Sequence, residues 1–351
     1  MLLLKNSLTI RGDSGFCPLS LSLDSYGNCL VDCPSCYLRN LNAIWGNELK
    51  PLDLDLLEKK LVNGLKNKNP QTPLAYALAQ KKTIRWGNKT DPFQPAEREY
   101  KRAPYIFPLL QELEWTFVIQ THFTEILMDY EKYMYRVTAK NLITVMPVMS
   151  PGLEKDWEVF EQKRTTPPMD RIKHAKQLMK LGIPVGFNGE PFIPGFHTVQ
   201  DFEDTMKLLK ANKIPSYNTY NFHFNAFVAK RIVNLPGVDI EKIWKMNQDV
   251  EWKKILPKLL ALGIKYGIRV GCPDFVNSGK DYIEPANTCC GVDVQNPCTF
   301  NTHFFKKYKQ MGYSAKDIET MTNDGTADFE LGQQVIRGTA KDTYTLKDAG
   351  L

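Results

Sequence analysis

Cys29, Cys33 and Cys36 stand in the run Gly27-Asn28-Cys29-Leu30-Val31-Asp32-Cys33-Pro34-Ser35-Cys36-Tyr37, a C-x3-C-x2-C spacing with an aromatic residue directly after the last thiol. Three thiolates this close in a loop can hold three irons of a [4Fe–4S] cube and leave the fourth iron open for another ligand. A structural zinc site competes for the same residues, but zinc wants four closed ligands. The twenty residues after Cys36 contain neither Cys nor His. Cys17, upstream, is the residue that would complete a zinc site, and it keeps that reading open. A disulfide framework fits less well, because eight cysteines spread through 351 residues are too sparse for one.

A chain of this length can bury one large α/β core or a core plus an extension. Its apolar share, 43%, is ordinary for a globular protein. Met1-Leu2-Leu3-Leu4 meets Lys5 at once, which is too short for a signal or a span. Reduced thiols without an export signal point to the cytoplasm, with no membrane partner. The net charge of +6 suits a phosphate-bearing or nucleic-acid substrate without being that of a dedicated DNA binder.

The elements that must position the thiols alternate. Leu19–Leu23 reads as a strand that leads into the cysteine loop, by its two-residue period. The spacing then predicts helix 52–67, strand 82–86, helix 95–113, strand 115–120, helix 122–136, strand 142–149, helix 168–181, strand 184–187, helix 198–211 and strand 217–222, and beyond these a helix at 239–265. Six alternating β/α units argue for a parallel sheet with helices outside. In such folds chemistry gathers where the strands end.

The cysteine motif resembles that of the radical SAM superfamily. A second motif, Gly87-Asn88-Lys89-Thr90-Asp91-Pro92-Phe93-Gln94-Pro95-Ala96-Glu97, is similar to the G-x-x-T-D-P-F/Y-Q-P-x-E signature of its spore photoproduct lyase-like, or DNA repair photolyase-like, branch. The resemblance covers about 200 residues. It implies a partial (β/α)6 TIM-type barrel at 18–225, after a lead-in at 1–17 and before a C-terminal extension at 226–351 that covers the active site. It further implies a [4Fe–4S] cluster on Cys29, Cys33 and Cys36, with S-adenosylmethionine (SAM) on the open iron. An electron donor such as flavodoxin or ferredoxin, a 5′-deoxyadenosyl radical and hydrogen abstraction from substrate complete the implied chemistry. Tyr37, Asn88, Thr90, Asp91, Thr121, His122, Ser150 and Asn188 are the matching candidates for contacts to SAM. His122 replaces a lysine that the branch carries. Asp91-Pro92 is equally a helix-capping turn. Glu190, at the mouth, is the candidate for substrate contact or catalysis.

The match also breaks. Spore photoproduct lyases have a tyrosine where this chain has Ser35, and a hydrogen-donating cysteine well downstream of the cluster. No cysteine lies between Cys36 and Cys272. The repair reaction is therefore not carried over. Cys272, Cys289, Cys290 and Cys298 leave three readings of the tail: packing residues, an auxiliary iron–sulfur cluster, or a thiol over the barrel mouth, with Cys290 the catalytic candidate. The function expected is a radical SAM enzyme acting on a nucleobase or nucleotide, in DNA or free. Its rivals are a modifier of a peptide or small metabolite with an auxiliary cluster, and a zinc-stabilised nucleic-acid-binding protein.

Overall fold

The computed structural model of the chain describes residues 2–10, 21–38 and 48–271. Among these residues the strands are β1 (Leu8–Ile10), β2 (Leu21–Leu23), β3 (Ile84–Trp86), β4 (Phe117–Thr121), β5 (Ile143–Pro147), β6 (Phe187–Asn188), β7 (Ser216–Asn218) and β8 (Arg269–Gly271). β1 runs antiparallel to β2, and all the other pairings are parallel. One sheet has the order β1-β2-β3-β4-β5 and a second the order β6-β7-β8. Main-chain bonds join the two: Val145 N–H donates to the Pro184 carbonyl at 3.0 Å and Met149 N–H to that of Asn188 at 2.7 Å. Among the described residues the result is a partial α/β barrel, with no pairing between β8 and β1.

Every residue of β4 and β5 is buried, as expected of parallel strands covered on both faces. The covering helices use local signals. Asp53 caps the helix Leu54–Lys66 by accepting from Leu56 N–H at 3.0 Å, and that helix buries Leu57 and Leu61. Thr198 and Asp201 form a reciprocal capping box at the start of Val199–Ala211. An aromatic cluster of Trp86, Phe93, Phe107 and Phe117 fills the space under β3 and β4.

Three expected helices prove to be broken. The segment 95–113 is two helices, Ala96–Tyr100 and Ala103–Glu112, because Lys101 takes φ 51°. The break is held by buried Glu97, whose carboxylate accepts from Arg102 N–H at 3.2 Å and Ala103 N–H at 2.8 Å, and Pro104 suits the first turn that follows. The segment 122–136 is Thr124–Met128 and Glu131–Thr138. The stretch 239–265 is Ile240–Met246 and Asp249–Tyr266. The chain then enters β8, which pairs with β7. That strand is too short to show a period, so residues read above as the start of the extension add a parallel strand to the barrel. None of the described helices is long and apolar enough to cross a membrane.

Candidate functional site

The cysteine loop follows β2, and the Gly87–Glu97 motif follows β3. Gly87 sits at φ +97°, and a Cβ there would lie 2.4 Å from the Gln120 carbonyl. Only glycine lets β3 turn this close to the end of β4. The turn beyond it is tied down by Asp24, a buried carboxylate just after β2. Its Oδ1 accepts from the amides of Asn88, Lys89 and Thr90 at 3.2, 2.8 and 3.1 Å. Thr90 Oγ1 donates to the Tyr26 carbonyl at 3.0 Å. Burial still lifts the Asp24 carboxyl above its ordinary range, although Lys89 and the three amides work against it.

Asp91 is spent on the chain itself. Its Oδ1 accepts from Thr121 Oγ1 at 2.7 Å and Phe93 N–H at 3.0 Å, and its Oδ2 from His122 N–H at 2.7 Å. The Thr121 hydroxyl in turn accepts from Phe123 N–H at 2.9 Å. These bonds lock the loop after β3 to the end of β4, and burial raises the Asp91 carboxyl in spite of them.

The cysteine loop rests on this turn. Gln94, fully buried, donates to the Asn28 carbonyl at 2.9 Å and accepts from Leu30 N–H at 2.7 Å. The Cys29 sulfur accepts from the Asp91 and Val31 amides, yet burial pushes the thiol up to about 12. Burial, the Glu161 carboxylate and the other two thiols push Cys33 well above its ordinary range. Cys29, Cys33 and Cys36 are partly buried and close enough to feel one another's charge. As placed, no three His, Cys, Asp or Glu side chains among the described residues are already gathered as ligands of one metal ion. Raised thiols of this kind lose their protons on metal binding, and amide donors to sulfur are the partners a ligating thiolate wants. The donor set therefore fits an iron–sulfur cluster.

Behind Cys33 lies a buried ion pair that spacing did not reveal. Arg171 spends its guanidinium on the Glu161 carboxylate, the Thr165 hydroxyl and the carbonyls of Val148 and Thr166. Burial opposes a charged Glu161, but Arg171 and then His122 override it and hold the carboxyl far below its usual range. His122 Nδ1 stands 3.1 Å from Glu161 Oε2, too poorly aligned for a good hydrogen bond. Through Asp91 and His122, the residues Cys29, Thr121 and Glu161 are thus one connected group.

The remaining candidates line the ends of β5 to β7. Ser150 is half-buried just after β5, and its carbonyl accepts from Leu153 N–H. Asn188 Oδ1 accepts from Glu190 N–H at 3.1 Å, and Asn218 Nδ2 donates to Glu190 Oε1 at 3.1 Å. Asn218 is aimed by Gly189, whose N–H donates to its Oδ1 at 2.8 Å, so the amide can turn only its nitrogen to Glu190. Tyr37 packs on His223, beyond β7, with ring centroids 4.4 Å apart, and Tyr220 lies 5.0 Å from the other side of that network. Cys17, Cys272, Cys289, Cys290 and Cys298 lie outside the described residues. The loop is therefore held across the mouth, from the end of β3 to the end of β7.

No family model matches the sequence, and no curated protein matches it. Solved structures do resemble the chain's fold. Spore photoproduct lyase complexed with dinucleoside spore photoproduct superposes with a TM-score of 0.55 at 10% identity, over 72% of this chain and 76% of that chain. The chain has the fold of that lyase. A double mutant of the lyase, with bound AdoMet and dinucleoside spore photoproduct, gives the same TM-score, 0.55, at 10% identity over 75% of this chain and 80% of that chain. Identity this low carries the fold and leaves chemistry to the residues.

Proposed function

We propose that this protein is a radical SAM enzyme, with a [4Fe–4S] cluster on Cys29, Cys33 and Cys36 and SAM on the open iron. The observation that carries the reading is a C-x3-C-x2-C loop at the end of the first parallel strand of a spore photoproduct lyase-type barrel, seated on the Thr90–Gln94 turn. When bound, the cluster would supply one electron to SAM, and the resulting 5′-deoxyadenosyl radical would abstract a substrate hydrogen. The chain's part is to hold and to shield. Gln94 and the Asp91 amide seat the loop. Thr90 ties the turn after β3 to the segment after β2, and Asp91 and Thr121 fix the ends of β3 and β4, where His122, Asn88 and Ser150 offer polar groups to the methionyl end of SAM. Tyr37 offers a ring to adenine and Asn188 an amide to the ribose. Glu190, oriented by Asn218, is the substrate contact.

A nucleobase or nucleotide is the substrate class this reading favours, on the branch resemblance and the net charge of +6. Deuterium uptake into 5′-deoxyadenosine from labelled nucleosides, oligonucleotides or peptides separates that class from a peptide or small-metabolite substrate. A flavodoxin or ferredoxin would supply the electron, and the extension at 226–351 would cover the active site, with Cys290 its thiol candidate.

Metal content tests the assignment. Anaerobic reconstitution should give a brown protein with about four irons and no stoichiometric zinc. Iron near eight per chain, falling to four when Cys289 and Cys290 become Ser, would place an auxiliary cluster in the tail. A colourless protein that holds zinc and refuses iron would overturn the enzyme reading in favour of a zinc-stabilised binding protein.

A further inference from the structure

The cysteine loop is gripped from a helix far away in sequence. Arg231, in the helix Ala226–Ile232, donates to the Asp32 carbonyl at 3.1 Å, the Asp32 carboxylate at 2.6 Å and the Cys36 carbonyl at 3.5 Å. Asp32 lies between the first two thiols and has φ 55°, a left-handed conformation that is uncommon for non-glycine residues although Asp tolerates it better than most. Arg231 is mostly buried, with 20% of its side chain exposed, and its guanidinium stands 5.5 Å from the Phe227 ring, which limits its freedom further. A second arginine, Arg164, reaches the Val31 carbonyl at 3.3 Å from the other side, but it is exposed. Gln94 holds the start of the loop, and Arg231 grips both ends of the span from Asp32 to Cys36.

Charge matters as much as geometry here. Once they ligate a cluster as thiolates, the three cysteines would add negative charge close to the Glu161 carboxylate. A guanidinium on the loop backbone offsets that field, and net charge is one of the quantities that set an iron–sulfur reduction potential.

We propose that Arg231 is a positioning residue for the cluster, which holds Asp32–Cys36 in ligating shape and keeps the potential high enough for a cellular donor to reach. This rests on the reading given above. The fork geometry is essential to the first role and the charge alone to the second.

The two roles separate by experiment on the full chain. In Arg231→Gln, amide exchange of residues 29–37 in the metal-free protein should be about ten-fold faster or more, as loss of a charge-assisted bond implies. Exchange in β4 should be unchanged, which shows that the barrel stays folded. After reconstitution, the midpoint potential of Arg231→Gln should be more negative than that of the unaltered protein. Arg231→Lys should restore most of the potential and little of the exchange protection. If Arg231→Gln does not fold, Asp32→Asn removes the ion pair at the half-exposed end and should speed loop exchange by a smaller factor. Loop exchange equal to that of the unaltered protein would overturn the clamp. Fast exchange with an unchanged potential would overturn the charge role. A chain that binds no cluster but shows the fast exchange would leave the clamp standing and remove the radical SAM reading instead.

Discussion

Arg171→Met is expected to cost about 3–5 kcal/mol of stability at neutral pH, the loss typical when one member of a buried ion pair is removed and the other is left charged and unpaired. The residue spends its guanidinium on Glu161, Thr165 and two carbonyls, and its side chain is 0% exposed. The pH dependence carries a signature. In the unaltered protein the folded Glu161 carboxyl lies far below its usual range. Its contribution is therefore complete above the unfolded value of about 4.3 and fades only as pH falls below that. In the variant, burial without Arg171 puts the folded value above the unfolded one. The variant then regains stability as pH falls through that raised value. Denaturant midpoints should thus differ most near pH 7 and converge toward pH 4. A gap that is constant across this range would mean that charge is not the cause.

Asp91→Ala is the second large effect. It strands the Thr121 hydroxyl and the amides of Phe93 and His122, and each buried group left unsatisfied costs about 1–3 kcal/mol. A stability loss of about 3 kcal/mol or more is expected, with the cysteine loop loosened because the Cys29 sulfur leans on the Asp91 amide. Asp91→Asn keeps an acceptor for two of the donors but turns an amide nitrogen toward His122 N–H, so it should fall between. If both variants keep full stability and lose only SAM affinity in titrations, Asp91 is a cofactor ligand and not a brace.

The layout of the barrel was legible because strands buried on both faces read as largely apolar runs, as Phe117–Ile119 does and as Ile143–Met146 does apart from Thr144. β1 and β8 were not picked out from the spacing. The helix breaks escaped for another reason. Glu97 ends one helix and braces the next through its carboxylate, a tertiary act that amphipathic spacing does not record. Within the site, the thiols and the Thr90–Gln94 turn announce themselves by spacing. Arg231 and Glu161 do not, because the partners of Arg231 lie 195–199 positions away and those of Glu161 come from separate loops and a helix. The motif points Thr90, Asp91 and Thr121 to the cofactor, whereas the Thr90 side chain also ties the turn after β3 to the segment after β2, and those of Asp91 and Thr121 bind the ends of β3 and β4 together. A short motif can name residues without revealing that they serve as scaffold.

The most direct test of the account is the formation of 5′-deoxyadenosine from SAM by the anaerobically reconstituted, chemically reduced protein, measured beside a variant with Cys29, Cys33 and Cys36 all replaced by Ala. The account predicts product with the unaltered chain and none with the variant. Turnover retained in the triple variant, or no cleavage by a chain that carries its full complement of iron, would contradict it.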